Sequence, residues 1–296
     1  MSPFSSMRCG TATLAGRTNV GKSTLLNAIL GIKLAIVSDK PQTTRSRILG
    51  VRTRPGAQTL WVDTPGIHQA RSLLNRRMME TAERSIHEAD VVIVVIDARE
   101  GLTPADRSVL ASVAAARRPW LVAVNKIDRC SKSALLPLLD GIGREQPDID
   151  LVPVSALAAR NLAELERAVA ERLPLGPALY PADEITDQTA RAITQEFIRE
   201  QVFAAGREEL PYKTAVLVED FAEKANVNVV SATILVERDS QKRILIGAGG
   251  QMIRELGTRA RAELERFFGK RFYLELFVKV RRDWTKSPRT LSELGL

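Results

Sequence analysis

The segment Gly16–Ser23 reads Gly-Arg-Thr-Asn-Val-Gly-Lys-Ser, two glycines with four residues between them, followed at once by lysine and a hydroxyl. That spacing suits the binding of a phosphate chain. Glycines let the backbone wrap closely, so the N–H groups of Gly16, Arg17, Thr18, Asn19, Val20 and Gly21 can point at one anion. Lys22 reaches the terminal phosphates, the Ser23 hydroxyl ligates Mg²⁺, and Thr24 follows in the helix that opens there. The helix N-terminus adds its own partial positive charge.

Three further segments narrow the ligand. Asp63-Thr64-Pro65-Gly66-Ile67 follows the strand end Trp61-Val62. Its carboxylate can hold the metal and the Gly66 N–H can meet the γ-phosphate. Asn125-Lys126-Ile127-Asp128 follows the apolar stretch Leu121–Val124. A carboxylate at Asp128 is the natural acceptor for the N1–H and 2-amino group of guanine, which adenine cannot offer together. Ser155-Ala156-Leu157 follows Leu151–Val154 and can place a backbone N–H on guanine O6. Each segment alone is a weak signal. All four in this order, each at the carboxyl end of a strand where α/β ligands bind, predict a site for GTP/GDP and Mg²⁺. The same phosphate loop also serves ATPases and phosphotransferases, and Asn125–Asp128 argues against that reading.

The elements that must carry these residues are legible in outline. Strands are expected at Thr11–Ala15, at a stretch ending in Leu60–Asp63, and at Asp90–Asp97, Trp120–Val124 and Leu151–Val154. Helices are expected at Lys22–Leu30, Ser72–Glu88 and Asn161–Leu173. Asp90–Asp97 (DVVIVVID) shows no alternation, as expected of a strand buried on both faces. Strands alternating with helices predict an α/β fold with a mostly parallel sheet. The composition then breaks at Leu173–Pro181, which holds three prolines and a glycine. Beyond it, a helix at Thr189–Ala205, strands at Lys213–Asp220 and Val227–Val236, a helix at Gln251–Phe268 and a strand at Arg271–Val280 predict a smaller α+β unit. The expected division is a nucleotide-binding domain over 1–175, a linker over 176–186 and a second domain over 187–296. With 296 residues, 45% of them hydrophobic, the chain can bury a substantial core. No apolar run is long enough to span a bilayer, and the N-terminus lacks the apolar core of a secretory signal. Cys9 and Cys130 are far apart and have no metal-ligand spacing, which fits a reduced, cytosolic setting. The net charge of +8 is uneven, with a basic stretch over 238–296 behind an acidic one over 181–237. A basic face suits a polyanion partner, although a solvated surface explains it equally well.

The first 170 residues or so resemble the translation-factor-like GTPases, and Pro41-Gln42-Thr43-Thr44-Arg45 with Asp63–His68 (DTPGIH) resembles their Era-type branch. That resemblance implies that Thr44, with Thr43 as its alternative, closes on Mg²⁺ when a γ-phosphate is present. Ras-like enzymes carry a water-orienting Gln where this chain has Ile67, and an aliphatic side chain cannot orient water. Relatives with an Asn at the position of Asn19 bind a monovalent cation, usually K⁺, so the resemblance implies a cation beside the phosphates and slow basal turnover. Asn19, Lys22 and Thr44 are then the catalytic candidates, and Ser23, Thr44 and Asp63 the metal ligands. His68 reads as a switch-surface residue rather than a base, and His87 as structural. Thr18 stands where Pro is usual in the family.

In the second domain, Gly247-Ala248-Gly249-Gly250 is a G-x-x-G between two helical stretches. Alone it would be a turn. The order helix, strand, strand, helix, G-x-x-G, helix, strand is that of a type II KH domain, where such a loop lets an RNA backbone approach. Ile244, Ile246 and Ile253 are expected to line the groove, with Arg243 and Arg254 contacting phosphates. This half also resembles the Era-type family, so the resemblance covers nearly the whole chain. It implies a bacterial, cytoplasmic GTPase that binds the 3′ end of small-subunit ribosomal RNA and acts in maturation of the small ribosomal subunit. It allows peripheral association with the inner membrane face and implies no stable protein partner. The alternative is a regulatory GTPase whose C-terminal domain binds a protein or a membrane. Ala248-Gly249 departs from relatives that carry Lys or Arg inside the loop.

Overall fold

A computed structural model describes residues 7–67, 72–206 and 209–296. His68 lies outside the described residues. The chain forms two compact units. The first holds the described residues of 1–35, 44–69 and 78–187. The second holds those of 36–43, 70–77 and 188–296.

Unit 1 is built on a seven-stranded sheet. Its elements in chain order are β1 (Met7–Ala15), α1 (Lys22–Leu30), β2 (Ile48–Arg54), β3 (Ala57–Asp63), α2 (Leu73–Glu88, of which 78–88 belong to this unit), β4 (Val91–Asp97), α3 (Pro104–Ala115), β5 (Trp120–Asn125), α4 (Lys132–Glu145), β6 (Leu151–Pro153), α5 (Leu162–Ala170) and β7 (Leu175–Gly176). The strand order is β2-β3-β1-β4-β5-β6, with β7 on β1. Pairing is parallel except for β2 on β3 and β7 on β1. Every residue of β4 is buried, as its unbroken apolar run requires when both faces are covered. Val92, Val94 and Ile96 pack with Val109, Leu110 and Val113 of α3 and with Ile142 of α4. The chain turns to β3 on one side of β1 and to β4 on the other. The carboxyl end of β1 is therefore a topological switch point, where a crevice for a ligand opens.

Two features of unit 1 go beyond the expected outline. The antiparallel edge strand β2 turns into β3 through Pro55-Gly56, with Gly56 at φ 81°. The Pro-rich segment after α5 is tied down. Gln58, fully buried, accepts from the N–H groups of Leu179 and Tyr180 at 2.7 and 3.0 Å and donates to the Tyr180 carbonyl at 2.8 Å. Tyr180 packs on Leu49, Val51, Leu60 and Val62. Val51 donates to the Ile185 carbonyl at 2.9 Å.

Unit 2 continues with α6 (Ala190–Ala205), β8 (Thr214–Glu223), β9 (Val227–Val236), α7 (Asp239–Ile246), α8 (Gln251–Phe268), β10 (Arg271–Val280) and α9 (Pro288–Glu293). Its sheet has the order β10-β9-β8, with β8 antiparallel and β10 parallel to β9. The α6–β8–β9–α7–loop–α8–β10 order is the one the sequence predicts. Phe197 of α6, Phe267 and Phe268 of α8, and Phe272 of β10 form a chain of tilted and edge-on ring contacts at 5.0–5.5 Å. Trp284, fully buried, donates to the Lys213 carbonyl at 3.0 Å.

Candidate functional site: phosphate loop, guanine pocket and glycine loop

The segment Gly16–Ser23 links β1 to α1 and turns back over the carboxyl end of the sheet. Gly21 caps α1 at φ 98°, and a Cβ there would stand 2.4 Å from Asn125 Nδ2. Only glycine fits both the backbone and the space. Lys22 is buried, and its ammonium donates to the carbonyls of Gly16 and Arg17 at 3.0 and 2.9 Å. Burial pulls its pKa down to about 8, while the Asp63 carboxylate works in the other direction. A phosphate placed over the loop would restore the charge.

Beside it, three oxygens converge. Ser23 Oγ lies 2.6 Å from Asp63 Oδ2 and 2.9 Å from Thr44 Oγ1, and Thr44 Oγ1 lies 3.1 Å from Asp63 Oδ2. Asp63 is fully buried, and its Oδ1 has no hydrogen-bond partner. Burial pushes its carboxyl pKa up, against the Lys22 charge and the hydroxyl donors. A hard-oxygen cluster with an unsatisfied buried acceptor suits Mg²⁺. Thr44 stands in the cluster, while Thr43 points its carbonyl elsewhere.

The Asp63–Ile67 segment closes the phosphate end. Thr64 Oγ1 donates to the Leu14 carbonyl at 2.8 Å, and the Ile67 N–H donates to the Gly16 carbonyl at 3.1 Å. Gly66 lies against Thr18, where a Cβ would fall within 2.8 Å of the Thr18 backbone nitrogen. The Ile67 side chain is half-buried against the β4–α3 core and is purely aliphatic.

The guanine end is assembled by cross-bracing. Asn125 is buried; its amide donates to the Val20 carbonyl at 2.9 Å and accepts from the Ala156 N–H at 3.0 Å. One side chain thus joins the phosphate loop to the Ser155–Leu157 loop. Lys126 donates to the Asn19 carbonyl at 2.5 Å and to Asp97 at 2.7 Å. Ser155 Oγ donates to Asp128 Oδ1 at 2.5 Å, which aims the carboxylate. Ile127 packs on the core beside Cys130, and Leu157 is exposed.

Two residues escaped the sequence reading. Asp97 ends β4, fully buried, between Arg99 and Lys126. Burial opposes its ionisation, but the hydrogen bonds from Arg99 and Lys126 prevail and hold its pKa to about 2. Asp106 accepts from Arg17 Nε at 3.0 Å and closes the capping box of α3 with Thr103. Arg17 also pairs with Glu100 at 2.8 Å. The Arg17 side chain therefore braces the loop, leaving its backbone to face a ligand. The Thr103-x-x-Asp106 spacing is a readable cap signal; the partnership with Arg17 is not.

In unit 2 the glycine loop opens α8. Gly247, Gly249 and Gly250 all have positive φ, at 72°, 55° and 77°. A Cβ on Gly247 would stand 2.8 Å from Met252 Cβ, whereas one on Gly249 would meet nothing within 4 Å. Ile246 and Ile253 are half-buried, and Ile244 is exposed. Arg243 and Ala248 are exposed. Arg254 turns back, donating to the carbonyls of Gly249 and Gly250. Beside the loop, Gln251, Arg254, Glu255, Thr258 and Arg259 line a shallow groove of about 270 Å³.

A phosphate loop, a Mg²⁺-suited oxygen cluster and an Asn-Lys-x-Asp guanine site on one sheet, followed by a glycine-loop α+β unit, define a P-loop GTPase carrying a C-terminal KH domain. Comparison with known proteins agrees. The family model described as 50S ribosome-binding GTPase matches residues 11–126, and the KH domain model matches residues 209–285. GTPase Era of Syntrophus aciditrophicus is 45% identical over 290 residues, covering 97% of this chain and 95% of that protein. GTPase Era of Azotobacter vinelandii is 46% identical over 297 residues, covering 100% and 99%. A crystal structure of an Aquifex aeolicus Era variant bound to GDP·AlF₄⁻ superposes with a TM-score of 0.95 at 40% identity, covering 98% of this chain and 99% of that one. An Era structure in complex with MgGDPNP and nucleotides 1506–1542 of 16S ribosomal RNA superposes equally well. The chain belongs to the GTPase Era family.

Proposed function

We propose that this GTPase uses its nucleotide state to control binding of small-subunit ribosomal RNA near its 3′ end, in the service of small-subunit maturation. The observation that carries the reading is the glycine loop. Three consecutive-turn glycines at positive φ free the start of α8 for close approach by a phosphodiester backbone. An Era structure holding a 16S fragment supports the choice of RNA.

Ser23, Thr44 and Asp63 would hold Mg²⁺, and the ion when bound supplies charge stabilisation for the γ-phosphate. Lys22 and the loop N–H groups bind and orient the phosphates. Asn125 fixes the base pocket against the loop, and Asp128, aimed by Ser155, selects guanine. No side chain at Ile67 orients the attacking water, so basal turnover is slow. Asn19 is the loop residue proposed to favour a monovalent cation, and turnover in K⁺ several-fold above that in Na⁺ supports this. Equal rates would remove it.

The test of the whole reading is RNA affinity with a non-hydrolysable GTP analogue and with GDP. Tighter binding with the analogue is expected, and equal affinities would sink the switch. Gly249→Asp should abolish RNA binding, since a side chain at φ 55° strains the loop and a carboxylate repels the phosphodiester, and should leave GDP affinity intact, because the nucleotide site is built from other residues. A C-terminal domain built for a protein or a membrane would instead bind RNA weakly and without regard to Gly249.

A further inference from the structure

The three-stranded sheet of unit 2 has two unlike faces. Phe272 of β10 meets the Phe268 ring of α8 at 5.3 Å and the Phe221 ring of β8 at 6.3 Å. The even-numbered positions of β10 therefore face the helices, and the paired positions Asn228, Val230, Ala232 and Ile234 of β9 are buried with them. The odd-numbered positions point the other way and carry Tyr273, Glu275 and Phe277. All three are exposed, the two rings by 55% and 50%. No other aromatic ring among the described residues is as open.

A β-bulge adds charge to this open face. The pairing of β8 with β9 shifts register between Val218 and Asp220. Glu219 and Asp220 would alternate sides in a regular strand, but the bulge turns both to the open side. Asp220 stands opposite Ser231, and Ser231 stands opposite Glu275. Glu219 accepts from Thr233 Oγ1 at 2.7 Å and from the Lys279 ammonium at 3.0 Å. Glu275 accepts from the Tyr273 hydroxyl at 3.0 Å. Asp220 has no hydrogen-bond or ion-pair partner among the described residues. Across the sheet the rows run aromatic, acidic, aromatic. Neither the nucleotide site nor the glycine loop uses them.

We propose that this face docks a basic segment of another protein, one that sets an arginine among apolar residues. Charge decides the class. The face holds three carboxylates; Lys279 neutralises one, and Arg271 lies at the far end of the strand. Such a face repels RNA and anionic lipid. A second copy of the chain would bring the same carboxylates against each other, and like charges opposed across an interface cost affinity. A cationic segment meets neither obstacle. Arginine suits it better than lysine, because the planar fork takes a carboxylate through two parallel hydrogen bonds and stacks on an aromatic ring. Tyr273 and Phe277 are four residues apart on one strand, about 13 Å, with the carboxylates between them. A guanidinium seated on the acidic row has a ring on either side, and its apolar neighbours cover those rings.

The test selects a random peptide library displayed on phage against the full GDP-bound chain, and again against the double variant Asp220→Asn, Glu275→Gln. Peptides kept by the first and lost by the second should carry arginine flanked by apolar residues. One selected peptide, made synthetically, should bind Phe277→Ala about tenfold more weakly, as loss of a central aromatic does at an interface. Thermal unfolding shows that the variants fold. The carboxamide pair preserves shape and carries the test if Phe277→Ala does not. A selection that returns acidic peptides, or none that separates the two chains, overturns the proposal. So does a synthetic peptide bound equally by every variant. Affinity for a single-stranded oligoribonucleotide that falls with Phe277→Ala would give the face to RNA instead. A dimer seen by sedimentation and dissolved by the same substitution would give it to a second copy. Either result also overturns the proposal.

Discussion

Lys22 shows how much of the chemistry sits in one buried charge. In the nucleotide-free protein burial holds its pKa at about 8, below the ordinary 10.5. Between those values the unfolded chain carries more protons than the native one. Lys22 on its own therefore makes the fold more stable as pH rises from about 8 toward 10.5. Phosphates raise the pKa, so above pH 8 nucleotide binding takes up a proton. GDP affinity should then be flat below pH 8 and fall above it, by at most roughly tenfold per pH unit. Calorimetric titration at pH 7 and 9 checks this, and Lys22→Met should flatten the profile. Asp97 acts by the opposite sign. Its folded pKa of about 2 lies below the ordinary 3.8, so its contribution is present above 3.8 and is lost as pH falls through 2. Asp97→Asn leaves Lys126 without its buried counter-charge. Breaking such a pair costs about 3 kcal/mol, to be read from urea unfolding, with weaker GDP binding because Lys126 also holds Asn19.

At the scale of elements, the start of α3 does two jobs. Thr103 caps the helix, and Asp106 both completes the box and holds Arg17 of the phosphate loop. Thr103→Ala should cost about 1 kcal/mol and leave nucleotide release alone. Asp106→Ala loses the box and also takes away one of the two carboxylates that hold the Arg17 guanidinium, leaving Glu100. It should cost about 2 kcal/mol and speed GDP release. Equal effects of the two on release would show that Arg17 does not steady the loop. Contiguous motifs such as Gly16–Ser23 and Asn125–Asp128 were legible because one short stretch holds all their donors. Asp97 and Asp106 were not, since their partners Lys126 and Arg17 lie 29 and 89 residues away in sequence. Arg199 and Thr43 are 156 residues apart, a pairing that no local pattern announces. The strand β4 was plain from its unbroken apolar run. The edge strand β2 is hard to read although Pro55-Gly56 marks a hairpin, because its residues run buried from Ile48 to Val51 and then increasingly exposed, without the alternation of a half-buried strand. The Pro-rich stretch read as a linker by composition. What ties it down is Gln58, a buried polar side chain on a distant strand.

The molecule as a whole joins a nucleotide site to a proposed RNA site, and joined sites obey a symmetry that neither shows alone. If the GTP analogue tightens RNA binding by some factor over GDP, RNA must tighten the analogue over GDP by the same factor. The equality holds for binding constants and not for turnover. Typical couplings of about 1–3 kcal/mol correspond to factors of roughly 5–150, large enough to measure from both directions. Both arms must be taken at one salt concentration, since a chain of net charge +8 binds RNA with a steep salt dependence. Raising salt should weaken RNA binding with either nucleotide along nearly parallel lines when the two states share their phosphate contacts. The coupling factor should therefore survive a change of salt that moves each affinity by an order of magnitude. A factor that shrinks toward one as salt rises would mean that the nucleotide's own charge acts on the RNA through space. A constant factor, equal in both directions, would place the coupling in the folded chain.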